Sequence, residues 1–312
     1  MQNTSMPNQP APAIIKRQSP QLLLRSVNRI AHATFTPATF AILHGYPGLM
    51  RRQADLMGNT MAAGTEREDC VHAGMSAAWY RPARQRGERV IFYSHGGGFA
   101  SGSRLSHANI ASHLAAASGH PVLVYDYRLA PEHIFPAAVD DGHAAYRALL
   151  HAGHAPENII FAGDSAGGTL TLALLLKLRD EGSPLPRAAI ANCPWVDFES
   201  RHPSLDWKGD PFLTRPLMHY FADAALPDKT SRAALSLSRR DYRGLPPIYL
   251  LIGGKDPLFD EEIELAGLLR AAGNTGHSEI WEDMPHVWQG LAPFIVEAGL
   301  ASERMAEFID GC

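Results

Sequence analysis

Several features are scarce or missing in this chain, and each absence removes a class of function. Cysteine is scarce: Cys70, Cys193 and Cys312 are odd in number and far apart. That usage suits reduced thiols in the cytoplasm better than a disulfide framework or a metal site. No apolar run reaches the ~20 residues of a membrane-spanning helix. Residues 1–12 are polar and proline-punctuated, without the apolar stretch of a secretory leader. Neither sign of charge dominates: 28 Lys and Arg face 32 Asp and Glu, for a net −4, so there is no basic footprint for nucleic acid or anionic membrane. There is no G-x-x-x-x-G-K-[ST] or G-x-G-x-x-G phosphate cradle and no H-E-x-x-H metal motif. The expectation is therefore an enzyme without cofactor or metal.

What is present points to acyl transfer. The apolar stretch Asn158-Ile159-Ile160-Phe161-Ala162 runs into Gly163-Asp164-Ser165-Ala166-Gly167-Gly168 and then into an apolar helix signal. A G-x-S-x-G between strand and helix is a nucleophile elbow, in which strained backbone angles hold the serine hydroxyl clear of the turn. Glycines flank it because a Cβ there would collide with the neighbouring strand or helix. The helix N-terminus favours negative charge beside Ser165. The strand-like 89–93 leads into Ser94-His95-Gly96-Gly97-Gly98-Phe99. Acyl transfer creates an oxyanion, and the glycine run Gly96, Gly97 and Gly98, with Ala166, is one way to offer backbone N–H groups to it.

A third strand signal, Ile248-Tyr249-Leu250-Leu251-Ile252, ends in Gly253-Gly254-Lys255-Asp256-Pro257-Leu258-Phe259-Asp260. A carboxylate here can orient a histidine and stabilise its imidazolium. Asp256 lies on the loop and is preferred over Asp260, which precedes a helix signal and suits its cap. His286 follows a final strand signal near Trp281, and position singles it out from fifteen histidines. The order Ser165, Asp256, His286 is that of α/β-hydrolases, not of the chymotrypsin or subtilisin arrangements.

Taken together, His95-Gly96-Gly97-Gly98, Asp126-Tyr127-Arg128-Leu129-Ala130-Pro131-Glu132, Gly163-Asp164-Ser165-Ala166-Gly167-Gly168 and Asp256-Pro257-Leu258 resemble the hormone-sensitive-lipase-like, bacterial family IV esterases. The resemblance covers residues 65–312. It implies a cofactor-free hydrolase of short- to medium-chain carboxylic esters, with Ser165 as nucleophile, Asp256 as acid and His286 as base. The family often has Gly-Phe after this histidine, where this chain has Val287-Trp288. That difference bears on the acyl pocket.

Strand signals at 69–72, 75–80, 90–94, 122–127, 158–162, 188–192, 248–252 and 278–282 alternate with helix signals at 106–117, 137–151, 166–179, 261–272 and 292–309. Such repeated units predict a mostly parallel eight-stranded sheet flanked by helices. With the order of Ser165, Asp256 and His286 and the family resemblance, the expected fold is that of the α/β-hydrolases. Residues 194–246 are too long for a connection of the usual ~4–6 residues. They carry helical pattern at 216–225, so a helical cap is expected at about 197–245 within a catalytic domain of residues 61–312. Residues 22–57, read as two helical pieces broken at Gly45-Tyr46-Pro47-Gly48, place residues 1–60 as a segment contributing to that cap. Pocket candidates are Phe99, Trp207, Phe212, Leu213 and Trp288. Arg128, Glu132 and Asp164 are read as structural hydrogen-bonding residues rather than catalytic ones.

The expected partner is a small-molecule ester, with no nucleic acid or membrane, and a homodimer stays open. The same machinery also serves lactone, N-acetyl or carbamate hydrolysis. A non-catalytic small-molecule receptor is the alternative outside enzymes, and it would have no use for all three of Ser165, Asp256 and His286.

Overall fold

The computed structural model of the chain describes residues 13–16, 18, 26, 47–207, 210 and 213–312. Nine strands form one sheet in the order β1-β9-β8-β7-β6-β4-β5-β3-β2. In chain order these are β1 Ala13–Ile15, β2 Thr65–His72, β3 Met75–Pro82, β4 Val90–Ser94, β5 Val122–Tyr125, β6 Ile159–Asp164, β7 Ala188–Asn192, β8 Ile248–Gly253 and β9 His277–Trp281. All neighbours from β1 to β5 pair in parallel, while β3 runs antiparallel to both β5 and β2. The eight-stranded expectation is therefore one strand short. The addition is β1, which pairs Ala13 with Glu279 and Ile15 with Trp281.

The central strands are apolar without alternation because both faces of the sheet are covered. In β4, Val90 and Phe92 enter one core while Ile91 and Tyr93 enter the other; in β8, Ile248, Leu250 and Ile252 oppose Tyr249 and Leu251. The first core is closed by helices α3 Ala137–His151, α4 Ala166–Asp180 and α7 Phe259–Ala271, the second by α2 Ala108–Ser118 and α8 Val296–Gly311. Residues 193–247, between β7 and β8, hold α5 Arg215–Ala225 and the short α6 Arg232–Leu235, and bury Leu213, Leu217, Met218 and Phe221 against the first core. An N-terminal helix, α1 Pro47–Gly58, begins at the predicted break. The helical piece read upstream of it lies outside the described residues apart from Ser26, which is helical.

In the parallel part of the sheet the strands end on one edge. The loops after β4, β6, β7, β8 and β9 therefore converge there, which is where open α/β sheets place their ligands. The predicted motifs sit on four of these five loops.

Candidate functional site

Ser165 occupies the turn between β6 and α4 with φ 53° and ψ −124°, a conformation L-residues rarely adopt. The strain is held from both sides. The Ser165 N–H donates to the Asn192 carbonyl at 2.9 Å, and the Trp195 N–H donates to the Ser165 carbonyl at 3.3 Å. A Cβ at Gly163 would run into the Gly167 carbonyl, and one at Gly167 into the carbonyls of Ser94 and His95. The elbow can turn this tightly only because both positions are bare.

Asp256 is fully buried at the end of β8 and divides its two oxygens between two tasks. Oδ1 accepts from the Leu258 N–H at 2.8 Å, and Oδ2 bonds His286 Nδ1 at 2.7 Å. That bond sets the tautomer: Nδ1 carries the proton, and Nε2 is left with a lone pair. His286 Nε2 is buried and has no hydrogen-bond partner among the described residues. Burial alone would pull this imidazole's pKa down. The charge and hydrogen bond of Asp256 outweigh it, Asp210 and Asp164 add to them, and the pKa sits above its ordinary value. Near Asp256, burial and then the Asp256 charge push the Glu262 carboxyl's pKa well up. The Cys193 thiol comes within 4.8 Å of the Asp256 and His286 ligand atoms, and burial pushes its pKa well up too.

The three glycines after β4 are not equivalent. The Gly96 N–H donates to His107 Nε2 at 3.0 Å, while His107 Nδ1 bonds Ser106 Oγ at 2.8 Å. Gly96 thus spends its donor inside the protein. The N–H groups of Gly97 and Gly98 bond nothing among the described residues. Gly98 has φ +61° and carries the Phe221 ring of α5 directly over its Cα, where a Cβ would overlap it. His95 is buried and stacks on Tyr127 with ring centroids 4.1 Å apart; the Tyr127 hydroxyl donates to the His95 carbonyl at 2.7 Å. Burial, then the neighbouring His107, lower the His95 pKa to about 3, so it is a neutral prop for the glycine loop.

The structure brings Ser165, Ala166, Asp256, His286 and the glycine loop to one edge of the sheet. The expected pocket residues fare differently. Leu213 is buried in the insertion. Phe99 is part of the core, its ring packed against Phe135, Trp195 and Phe198. Trp207 is 41% exposed and its ring lies against Phe259, 5.4 Å between centroids. Trp288 is fully buried in the second core, 5.5 Å from Trp281, and so belongs to the opposite side of the sheet. Phe212 lies outside the described residues.

Asp164 accepts from the Tyr93 hydroxyl at 2.7 Å, Arg128 pairs with Asp141 at 2.8 Å, and Glu132 pairs with Arg51 at 2.7 Å. Each is thus tied into the fold by a hydrogen bond or ion pair. Asp260 is not the cap of α7 but lies in its first turn, and its carboxylate accepts from the Ser204 N–H at 2.9 Å. Sequence reasoning passed over His107 and Asp210, and read Phe221 only as one of the apolar residues of the expected cap. Each acts across more than ten residues of chain, beyond the reach of a local motif.

Residues 91–290 match the alpha/beta hydrolase fold family. The chain is 39% identical over 252 residues to an acetyl-hydrolase of Streptomyces hygroscopicus, covering 77% of this chain and 82% of that protein. It is 32% identical over 233 residues to an esterase of Acinetobacter venetianus, covering 72% and 76%. Among solved structures, an esterase from the bacterial hormone-sensitive lipase family superposes with a TM-score of 0.85 at 36% identity, over 93% of this chain and 98% of the other. The esterase EstE5, soaked with p-nitrophenyl butyrate, gives 0.85 at 33% identity over 93% and 98%.

Proposed function

We propose, for a chain that belongs to the hormone-sensitive-lipase-like esterases of the α/β-hydrolase-fold family, hydrolysis of short- to medium-chain carboxylic esters by Ser165, His286 and Asp256. The observation that carries this reading is the buried Asp256–His286 bond, which leaves Nε2 without a partner among the described residues, at the same sheet edge as the strained Ser165. His286 Nε2 takes the Ser165 proton as the hydroxyl attacks the ester carbonyl. The alcohol leaves with that proton, and a water activated by the same nitrogen releases the acid. Asp256 stays ionised throughout and holds the imidazole tautomer.

The oxyanion is received by the N–H groups of Gly97, Gly98 and Ala166. Gly96 is excluded from that role because its N–H is already given to His107. The insertion between β7 and β8, together with the N-terminal segment that carries α1, serves as the cap. Phe221, seated on Gly98, brings the cap against the oxyanion loop and limits the room for the acyl group. The acetyl group in the Streptomyces relative's name agrees with a small pocket. Three free cysteines support a reducing, cytoplasmic location.

The test is initial rates on p-nitrophenyl esters from acetate to palmitate, with Ser165→Ala alongside. Turnover should peak at short or medium chains, and kcat should fall at least ~10³-fold in the variant while its fold is kept. Near-wild-type turnover in folded Ser165→Ala would remove the assignment.

A further inference from the structure

Among the described carboxylates of the insertion only Asp197, which pairs with Arg201, and Asp210 are buried. Asp210 is 4% exposed, whereas Asp206 and Asp223 are open to solvent and paired with Arg215 and Arg232. Its two oxygens are divided between the cap and the active site. Oδ1 accepts from the Leu213 N–H at 2.7 Å, closing a short turn within the cap. Oδ2 accepts from the backbone N–H of His286 itself, 76 residues away, at 2.6 Å. A turn-closing aspartate needs only the first bond, and that bond does not require burial. The second bond removes a charge from water and sets it against the loop that carries the general base, a placement with a real desolvation penalty.

We propose that Asp210 is a second carboxylate of the active site, a positioning residue through which the cap fixes the His286 loop and adds negative charge facing its imidazole. The inference rests on the esterase reading for its chemistry. Proton transfer makes His286 an imidazolium once in each half-reaction, and a carboxylate that stays ionised nearby favours that form. The groups facing the imidazole are Asp256 from the loop after β8, Asp164 from the end of β6, Cys193 from the loop after β7 and Asp210 from the cap. Glu261 and Glu262 of α7 lie near Asp256, and burial pushes the pKa of both carboxyls well up. Asp210 is the member of this set that moves with the cap. A displaced cap therefore takes with it both the anchor of the His286 backbone and part of the field on its ring.

The experiment compares Asp210→Asn with the full-length chain, with Asp206→Asn as a cap control. Asparagine keeps the shape but removes the charge and one of the two acceptors. Expected for Asp210→Asn is a ~10–100-fold loss of kcat on p-nitrophenyl acetate with KM within about threefold, since an interaction made in the transition state is removed. The His286 imidazole, followed by NMR in a Ser165→Ala background, should titrate lower by roughly 0.5–1 unit, the sign set by loss of a nearby negative charge. Asp206→Asn should change neither. A folded Asp210→Asn with unchanged kcat and an unmoved His286 titration overturns the proposal, as does a loss confined to KM.

The NMR readout needs no turnover, so it stands even if the wild-type chain hydrolyses no ester, an outcome that would overturn the esterase reading instead. If Asp210→Asn does not fold, the wild-type residue decides. In the Ser165→Ala chain, His286 should then show a second, smaller inflection near Asp210's own pKa, which burial pushes up to about 6. A single inflection overturns the proposal.

Discussion

His286 has two ring nitrogens in opposite circumstances: Nδ1 is bonded to a fully buried carboxylate, and Nε2 is buried without a partner among the described residues. A base in that state accepts a proton readily, and its upward-shifted pKa has a kinetic consequence. The base must be neutral to act, so kcat/KM should fall as pH drops through a midpoint above the ordinary ~6.5 of histidine. Asp256→Asn should move that midpoint down and lower kcat by ~10³–10⁴-fold, because the imidazole loses both its counter-charge and its tautomer. A pH–rate profile of both proteins checks this, and an acidic limb below 6 in the wild type would refute it. The three catalytic candidates were legible in the sequence because each closes an apolar strand signal with a local motif. The neighbours were not. Trp288 follows His286 by two residues, yet Val287 at φ 48° turns the chain and sends the indole to the other side of the sheet. Likewise, Gly96 reads like Gly97 and Gly98 until His107, eleven residues on, takes its N–H.

Elements were legible where apolar runs were long. β4, β7 and α3 begin and end where their residue patterns do, because a strand buried on both faces has no polar position to blur its limits. β1 was not legible. Its three residues are mostly exposed, and only pairing with β9 makes them a strand. Helix α1 also draws its importance from where it docks. Its Arg51 donates from Nε to the Ala100 carbonyl at 3.0 Å and from Nη2 to the Ala130 carbonyl at 2.8 Å, besides pairing with Glu132. Ala100 lies two residues beyond Gly98, so this helix braces the glycine loop from outside. The Glu132 pair is half exposed and worth only ~0–1 kcal/mol, whereas the carbonyl bonds are less accessible and need the guanidinium's spread of donors. Arg51→Lys should therefore lower kcat/KM by ~5–20-fold, a loss of about 1–2 kcal/mol, and Glu132→Gln should stay near wild type. If Glu132→Gln proves as damaging as Arg51→Lys, the ion pair and not the brace is what matters.

At the scale of the whole molecule, the groups that build the site also shape stability against pH, and two of them pull in opposite directions. His95 titrates at about 3 in the folded protein because it is buried, against ~6.5 when unfolded. Between those values the unfolded chain binds the extra proton, so this residue makes folding less favourable as pH falls from 6.5 towards 3. Asp210 is raised by burial to about 6, against ~3.8 unfolded. Between roughly 4 and 6 it is the folded chain that binds the extra proton, so this residue makes folding less favourable as pH rises. Each substitution should thus change the slope of Tm against pH with its own sign, whatever offset it adds at every pH. Relative to wild type, His95→Gln should lose its deficit in Tm as pH is lowered from 7.5 to 4.5, because the variant has no buried imidazole to charge. Asp210→Asn should lose its deficit as pH is raised over the same range, because the variant has no buried carboxyl to ionise. Thermal unfolding of the three proteins at five or six pH values distinguishes these slopes. Curves that merely run parallel would mean that neither group keeps its folded-state pKa, and with that the neutral prop under the glycine loop and the buried charge beside His286 would both be lost as physical accounts of the site.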